Sequence, residues 1–472
     1  MHERPASGSN PPALNRKKKR PWHRRMPAGL SYAGEPVAAD YVRFLADTTW
    51  VDAEGVSHSE QVIFDTVFDT IRRARRLVLL DVFLYNDFEM HIEAPYRSLA
   101  RELTDALLEQ KEKHPDITIV VITDPINTVY GSIRNTFFES LEAAGIRVVI
   151  TDLAALRDSN PFYSFLWRCF VKPLGNAGRG RLGNPFDPEG RVTLRSYLTM
   201  LNCKANHRKV VVCDDGDTLV GLVTSANPHD ASSANSNVAV CFAGQAARDL
   251  LVSENAVLAF SGHDGITVPR VRPAEDASNT VQVLTERAIK TAALSIIDNM
   301  TEDGEIDIAT FYLSDRDIIA ALKRAKRRGV TMHIVLDPNK NAFGYDKHGI
   351  PNLPVAAELT RENIDIRWYH THDEQCHFKM LLADDGHGEA QLLLGSANLT
   401  RRNLDDFNLE TNVLVKGQHS LAAIRDAQVF FRTLWSNGQS RGHTAAYEHY
   451  RSESLLKKGL YRFMEASGFS GF

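Results

Sequence analysis

Two short stretches of the chain repeat one chemistry. His207-Arg208-Lys209 is followed by Asp214 and then Ser225-Ala226-Asn227, and His377-Phe378-Lys379 by Asp384 and then Ser396-Ala397-Asn398. Residues two apart in a strand share a face, so each H-x-K presents an imidazole beside an ammonium. One imidazole can attack phosphorus while the other protonates the departing oxygen, and lysines with Ser and Asn donors can hold the remaining oxygens. The catalytic candidates are therefore His207, Lys209, His377 and Lys379, and the phosphate-binding candidates Ser225, Asn227, Ser396 and Asn398. Because lysines and neutral donors already meet the phosphate charge, neither metal nor cofactor is expected. Asp214 and Asp384 follow their strands at turns, where an aspartate bonds local backbone, and are supporting residues.

The elements that position these residues repeat as well. Residues 78–87 resemble 306–315, 117–125 resemble 330–338, and 146–151 resemble 364–369, each an apolar strand running into a polar turn. Stretches 99–113 and 317–328 place apolar residues at three- and four-residue spacing, the helical period. This predicts an α/β fold: two similar domains with mixed sheets flanked by helices, packed with pseudo-twofold symmetry, the active site at their interface. The expected organisation is a basic disordered arm at 1–40, carrying Arg16-Lys17-Lys18-Lys19-Arg20, a first domain at 41–262, a Pro- and Gly-rich linker at 263–280, a second domain at 281–440 and a helical tail at 441–472.

One block breaks the repeat. The Asp-Pro pairs lie 213 residues apart and the histidines only 170, so the first half carries 43 extra residues, placed within 152–206. The block opens with a dense aromatic run at 161–173, bordered by Arg168 and Lys172. Aromatics edged by cations suit a water-lipid boundary, and equally a helix completing the first core. The tail mixes Leu455, Leu456, Leu460 and Phe463 with Lys457, Lys458 and Arg462, a pattern for an interfacial helix or for one docked on the body.

Composition narrows the field. A net charge of −4 and a pI near 6.5 do not provide the broad positive field of nonspecific nucleic-acid binding. Five cysteines without C-x-x-C spacing fit neither a disulfide framework nor a zinc site, which points to a reducing, cytoplasmic setting. Cys376 adjoins His377, but strand alternation turns it to the opposite face. No stretch approaches the roughly eighteen apolar residues of a spanning helix, so contact with lipid is expected to be peripheral, at the inner face of a membrane.

With the doubled H-x-K and its downstream Asp in view, the chain resembles the phospholipase D superfamily, most closely its phospholipase D and cardiolipin synthase branch; the resemblance spans roughly residues 59–438. It implies a phosphohistidine intermediate on His207, with His377 as general acid and then base. It implies a phospholipid phosphodiesterase or phosphatidyltransferase passing a phosphatidyl group to water or an alcohol. A nuclease using the same residues and a lipid-binding scaffold that has lost turnover are the alternatives. Three departures stand out. Thr224 occupies the place of Gly395, the Asp-to-Ser spacing is long in both halves, and Glu410, where the family often sets a carboxylate orienting an active-site His, is matched in the first half by Asn237. Matched half to half, that last difference leaves His207 the less basic imidazole.

Overall fold

A computed structural model of the chain describes residues 26–468 except 27–28, 40, 53, 89–95, 175, 177–179, 188–189, 273, 275–278, 343–344, 347 and 439–440. The basic run at 16–20 lies outside the described residues.

The N-terminal part builds β1 (Val37–Ala38), β2 (Val42–Val51), β3 (Ser57–Glu60), α1 (Ile63–Arg73), β4 (Leu77–Val82), α2 (Leu99–Lys113), β5 (Thr118–Thr123), α3 (Thr136–Ala143) and β6 (Arg147–Ile150). The extra block follows as α4 (Pro161–Leu166), a small hairpin of β7 (Leu182–Gly183) and β8 (Arg191–Val192), and α5 (Leu194–Met200). The half closes with β9 (Lys209–Asp215), β10 (Thr218–Thr224), β11 (Asn237–Ala243) and α6 (Gln245–Phe260).

The second half runs β12 (Thr280–Thr285), α7 (Arg287–Asn299), β13 (Glu305–Thr310), α8 (Arg316–Arg327), β14 (Thr331–Leu336), the hairpin β15 (Asn341–Ala342) and β16 (Tyr345–Asp346), α9 (Asn352–Thr360) and β17 (Asp365–Tyr369). It continues with β18 (Lys379–Asp384), β19 (Glu389–Gly395), α10 (Arg401–Leu404), β20 (Thr411–Gln418), α11 (Ala422–Ser436), β21 (Thr444–Ala446) and α12 (Leu455–Ser467).

The two large sheets have one topology. Their orders are β3-β2-β11-β10-β9-β4-β5-β6 and β1-β12-β20-β19-β18-β13-β14-β17-β21, so the run β2-β11-β10-β9-β4-β5-β6 matches β12-β20-β19-β18-β13-β14-β17 strand for strand. Within each, three strands run parallel and the H-x-K strand joins them antiparallel. Alternation along β4 sends Val78 and Leu80 beneath α1 and α2, and Leu77 and Leu79 into a core shared by both halves. Helices α6 and α11 line that shared core, and α11 of the second half packs on β2 of the first, with Phe44 and Phe430 rings 5.3 Å apart.

Edge strands depart from the expected boundaries. Inside the expected arm, β1 pairs with β12 of the second sheet; inside the expected tail, β21 pairs with β17. Strands of two and three residues leave no readable alternation, which is why the sequence hides them. The linker is fastened too: Asn255 bonds both the N–H and the carbonyl of Ile266.

Candidate active site

β9 and β18 start at Lys209 and Lys379, so each H-x-K marks the point where a chain enters its sheet. The preceding residue is pinned in both halves by the aspartate ending the β5 or β14 segment. Asp124 Oδ2 accepts from Asn206 N at 2.7 Å, and Asp337 Oδ2 from Cys376 N at 2.9 Å. The sequence shows these aspartates only as strand stops before proline; their recurrence in both halves is the signal of the shared duty.

The halves then exchange contacts reciprocally, as twofold packing requires. Asn206 bridges to Leu409, and Cys376 bridges to the matching Ser236. One residue on, His207 therefore faces Glu410 and His377 faces Asn237. His207 Nδ1 donates to Glu410 Oε2 at 3.0 Å and His377 Nδ1 to Asn237 Oδ1 at 2.9 Å. This corrects the half-to-half matching: the carboxylate backs His207, which is the more basic partner in this respect, and His377 is held by a neutral amide. The cause is packing, since each orienting residue is delivered by the opposite half.

Both tautomers follow from these bonds. A carboxylate can only accept, and Asn237 donates its Nδ2 to Asn235 O at 2.9 Å, which turns its Oδ1 to His377. Nδ1 thus carries the proton in each imidazole and Nε2 keeps the lone pair. Burial, then Lys209 and Lys379, hold His207 well below the usual histidine range; burial, then Lys379, Lys209 and His207, do the same to His377. Both lysines act on both imidazoles, and the crossed bonds of His207 to Glu410 and of His377 to Asn237 bring the two motifs to one site.

Lys209 Nζ donates to His207 O at 2.8 Å and Lys379 Nζ to His377 O at 3.0 Å, leaving each ammonium two further protons. Each also lies against a phenylalanine, Phe83 at 5.1 Å and Phe311 at 5.6 Å, and the same rings touch His207 and His377. These matched phenylalanines form an apolar wall that the motif alone does not announce. Burial lowers Lys209 to about 7 against the opposing pull of Glu410, and lowers Lys379 as well. Burial likewise raises Glu410 to about 7, against the pull of Lys209 and of the bonds from Ser396 and Asn403.

The serines do something other than expected. Ser396 Oγ donates to Glu410 Oε2 at 2.5 Å and accepts from Thr411 N; Ser225 Oγ donates to Asn237 Oδ1 at 2.9 Å and accepts from Val238 N. Their hydroxyl protons are committed to the residues that orient the histidines, so both serines position the imidazoles rather than donate to phosphate. Asn227 Oδ1 accepts from Leu84 N at 3.3 Å, and its Nδ2 has no protein partner among the described residues; Asn398 Oδ1 is buried without a partner. Asn403 Nδ2 completes the Glu410 cage at Oε1.

Asp214 and Asp384 stand at the far ends of their strands. Asp214 Oδ1 collects the backbone N–H groups of Arg75, Arg76 and Leu77, and Asp384 takes Gly386 N and Gln428 Nε2. Cys376 faces the shared core, fully buried.

The motifs differ at their central residue. Phe378 packs in the shared core, whereas the matching Arg208 is fully buried between Glu254 at 2.9 Å and Glu286 at 2.7 Å. Glu286 Oε1 also accepts from Glu410 N at 3.1 Å, so the buried arginine reaches the carboxylate behind His207 in two steps. Among the described residues, the group with His and carboxylate atoms close enough for a metal is Glu305, Asp307 and His333, away from the histidine pair on β13 and β14. His333 Nδ1 bonds both carboxylates there, which raises it to about 9, an imidazolium ion triad.

Residues 296–435 match the family model for "Cardiolipin synthase, PLD-like domain". Among solved structures the chain is similar to phosphatidylserine synthase from Haemophilus influenzae Rd KW20, with TM-score 0.57 and 12% identity over 93% of this chain and 96% of that one. It also matches Nuc from Salmonella typhimurium, a phospholipase D family member, with 23% identity over 37% of this chain and 99% of that one, TM-score 0.29. No curated protein matches the chain. The first of these structures shares the fold: two large mixed sheets flanked by helices.

Proposed function

We propose that the chain, whose residues 296–435 match the cardiolipin synthase, PLD-like domain, is a phospholipase D-type phosphodiesterase or phosphatidyltransferase that cleaves a glycerophospholipid at the headgroup phosphate and passes the phosphatidyl group to water or an alcohol. The observation that carries this reading is the unequal backing of the two imidazoles. His207, with Glu410 on its Nδ1–H, is suited to accept the positive charge that grows on a ring bonding to phosphorus. His377, backed only by an amide, is the stronger acid and suits proton donation.

In the first step the Nε2 lone pair of His207 bonds to phosphorus and the bond from phosphorus to the headgroup oxygen breaks. That oxygen leaves with a proton from Nε2 of His377, a proton the imidazole takes up from solvent as the phosphodiester anion binds beside it. In the second step His377 takes the proton of the incoming water or alcohol as its oxygen bonds to phosphorus, and the P–N bond breaks, returning neutral His207. Lys209, Lys379 and the Asn227 amide meet the charge on the equatorial oxygens. The lipid side of the reading is supported by the cardiolipin synthase description of the matched family and by the net charge of −4.

Incubation with single defined phospholipids, with and without glycerol or ethanolamine, and mass spectrometry of the products tests the reaction. Expected products are phosphatidic acid or the transphosphatidylated lipid. Phosphate label carried by the lipid should be trapped, acid-labile, on His207. Hydrolysis of DNA with phosphatidylglycerol and phosphatidylethanolamine left intact would replace the lipid reading with the nuclease one.

A further inference from the structure

Helix α12 is docked inside out. Its inward face is polar: Tyr461 Oη donates to Ser314 O at 3.0 Å and accepts from Arg316 Nη1 at 3.1 Å, while Glu465 accepts from Ser314 Oγ at 3.0 Å and Arg401 N at 3.3 Å. At 100° per residue the opposite face gathers Leu456, Leu460 and Phe463, and these project into solvent, Leu456 82% and Phe463 62% exposed. With its hydrogen bonds, the Tyr461 ring and Met464 turned inward, the helix leaves most of its apolar stripe outside the core, so the stripe awaits something else.

The extra block does the same. Helix α4 and the turn after it are tied down by polar groups. Tyr163 Oη donates to Leu198 O at 2.6 Å, Ser164 Oγ to Asn202 Oδ1 at 2.9 Å, and Arg168 pairs with Asp158 at 2.8 Å. Phe162, Phe170 and Leu174 point outward, each at least 68% exposed. The two segments adjoin. Gly468 ends α12 in the left-handed conformation with its Cα so close to Ser159 that a Cβ would overlap Ser159 O, and Asn160 is the N-cap of α4.

Both segments lead directly to the catalytic residues. Arg401, which anchors α12, lies three residues beyond Asn398, and the block containing α4 and α5 runs into Asn206 and His207. Lys172 lies two residues after Phe170, and Lys457 follows Leu456 at the edge of the apolar stripe, so cations flank the apolar face.

We infer that the joint face of α4, its following turn and α12 is a lipid-docking surface that seats Phe162, Phe170, Leu456 and Phe463 at the acyl boundary of an anionic bilayer. It rests on the lipid reading of the site, and it gives that site its route to a substrate held in a membrane. Aromatic and leucyl side chains with no hydrogen-bonding capacity match the acyl boundary, and the lysines match anionic headgroups. A second copy of the chain, the other possible occupant, is an outcome of the test.

The test uses the full chain, vesicles of phosphatidylglycerol and phosphatidylcholine, and two double variants, Leu456→Ser with Phe463→Ser and Phe162→Ser with Phe170→Ser. All substituted positions are exposed, so folding is expected to persist and is checked by circular dichroism. Each double variant should lower vesicle partitioning at least about tenfold, given the transfer cost of two large apolar side chains. Turnover of monomeric dihexanoyl-phosphatidylglycerol should stay within about twofold of wild type. Leu456→Trp should be quenched by brominated acyl chains. Partitioning equal to wild type overturns the inference, as does a wild-type dimer that the variants convert to monomer with vesicle binding unchanged. Wild type that binds vesicles through this face while hydrolysing no lipid, short-chain or vesicular, would sink the proposed reaction and leave the surface standing.

Discussion

Glu410 Oε2 lies 3.0 Å from His207 Nδ1, although 203 residues and the whole interface separate them along the chain. The same strand-to-strand register that delivers it places Asn237 on His377, so one site holds a carboxylate-backed and an amide-backed imidazole. Glu410→Gln keeps the shape and removes the charge. It should lower turnover about 10- to 100-fold, the range for outer partners of a reactive imidazole. Asn237→Asp should instead raise the pKa of His377, making it the weaker acid and moving the pH profile to higher pH. Histidine 15N titrations of the two variants separate the effects, and a shift at His377 in Glu410→Gln larger than that at His207 would contradict the crossed arrangement.

Lys209 gives the pH dependence its sign. Burial lowers its pKa to about 7, so the ammonium is present below that value and lost above it. In the free enzyme kcat/KM should therefore fall as pH rises through about 7. In kcat the limb should move upward, because a bound phosphodiester anion retains the proton. Glu410 works against the lowering, so Glu410→Gln should bring the kcat/KM limb to still lower pH. Profiles on a soluble phosphodiester measure this; a limb near 10, the ordinary lysine region, would mean the ammonium is not desolvated in solution.

The serine hydroxyls make a sharper test of the site. If Ser225 and Ser396 bonded phosphate, their loss would raise KM. Because they bond Asn237 and Glu410, Ser396→Ala should lower kcat with KM nearly unchanged, and should cost about 1–3 kcal/mol in stability from the buried groups left unpaired. Asn227→Ala should behave oppositely, raising KM. Steady-state kinetics with a denaturant curve distinguishes the two patterns.

Much of this was legible in the residues. The doubled H-x-K, its lysines and the repeated strands point to two similar mixed sheets flanked by helices because each is a local pattern, and a period of two needs no knowledge of the partner strand; the order of strands is a non-local matter that the pattern leaves open. The crossing of Glu410 and Asn237 was not legible, since alignment of the halves pairs equivalents, whereas twofold packing brings non-equivalents together. The committed hydroxyls of Ser225 and Ser396 were hidden for a like reason: a hydroxyl's partner is set by the neighbouring strand. Leu456 and Phe463 read as an apolar helical face, and only Tyr461 and Glu465, bonded inward, decide which way it points.

Arg208 is where the pseudo-symmetry is broken, and its removal should be costly. It is fully buried between Glu254 of the first half and Glu286 of the second, while the matching Phe378 lies among aromatic rings. Arg208→Met leaves two buried carboxylates without their cation, a change that costs about 3–5 kcal/mol when one partner of a buried ion pair is deleted. The triple variant with Glu254→Gln and Glu286→Gln removes those charges too and should recover a large part of the loss. Glu286 also accepts from Glu410 N, so the triple variant should still turn over more slowly than wild type once stability is restored. Guanidinium unfolding followed by turnover on a soluble phosphodiester reads both effects. If the triple variant were no more stable than Arg208→Met, the buried charges would not be what holds this junction.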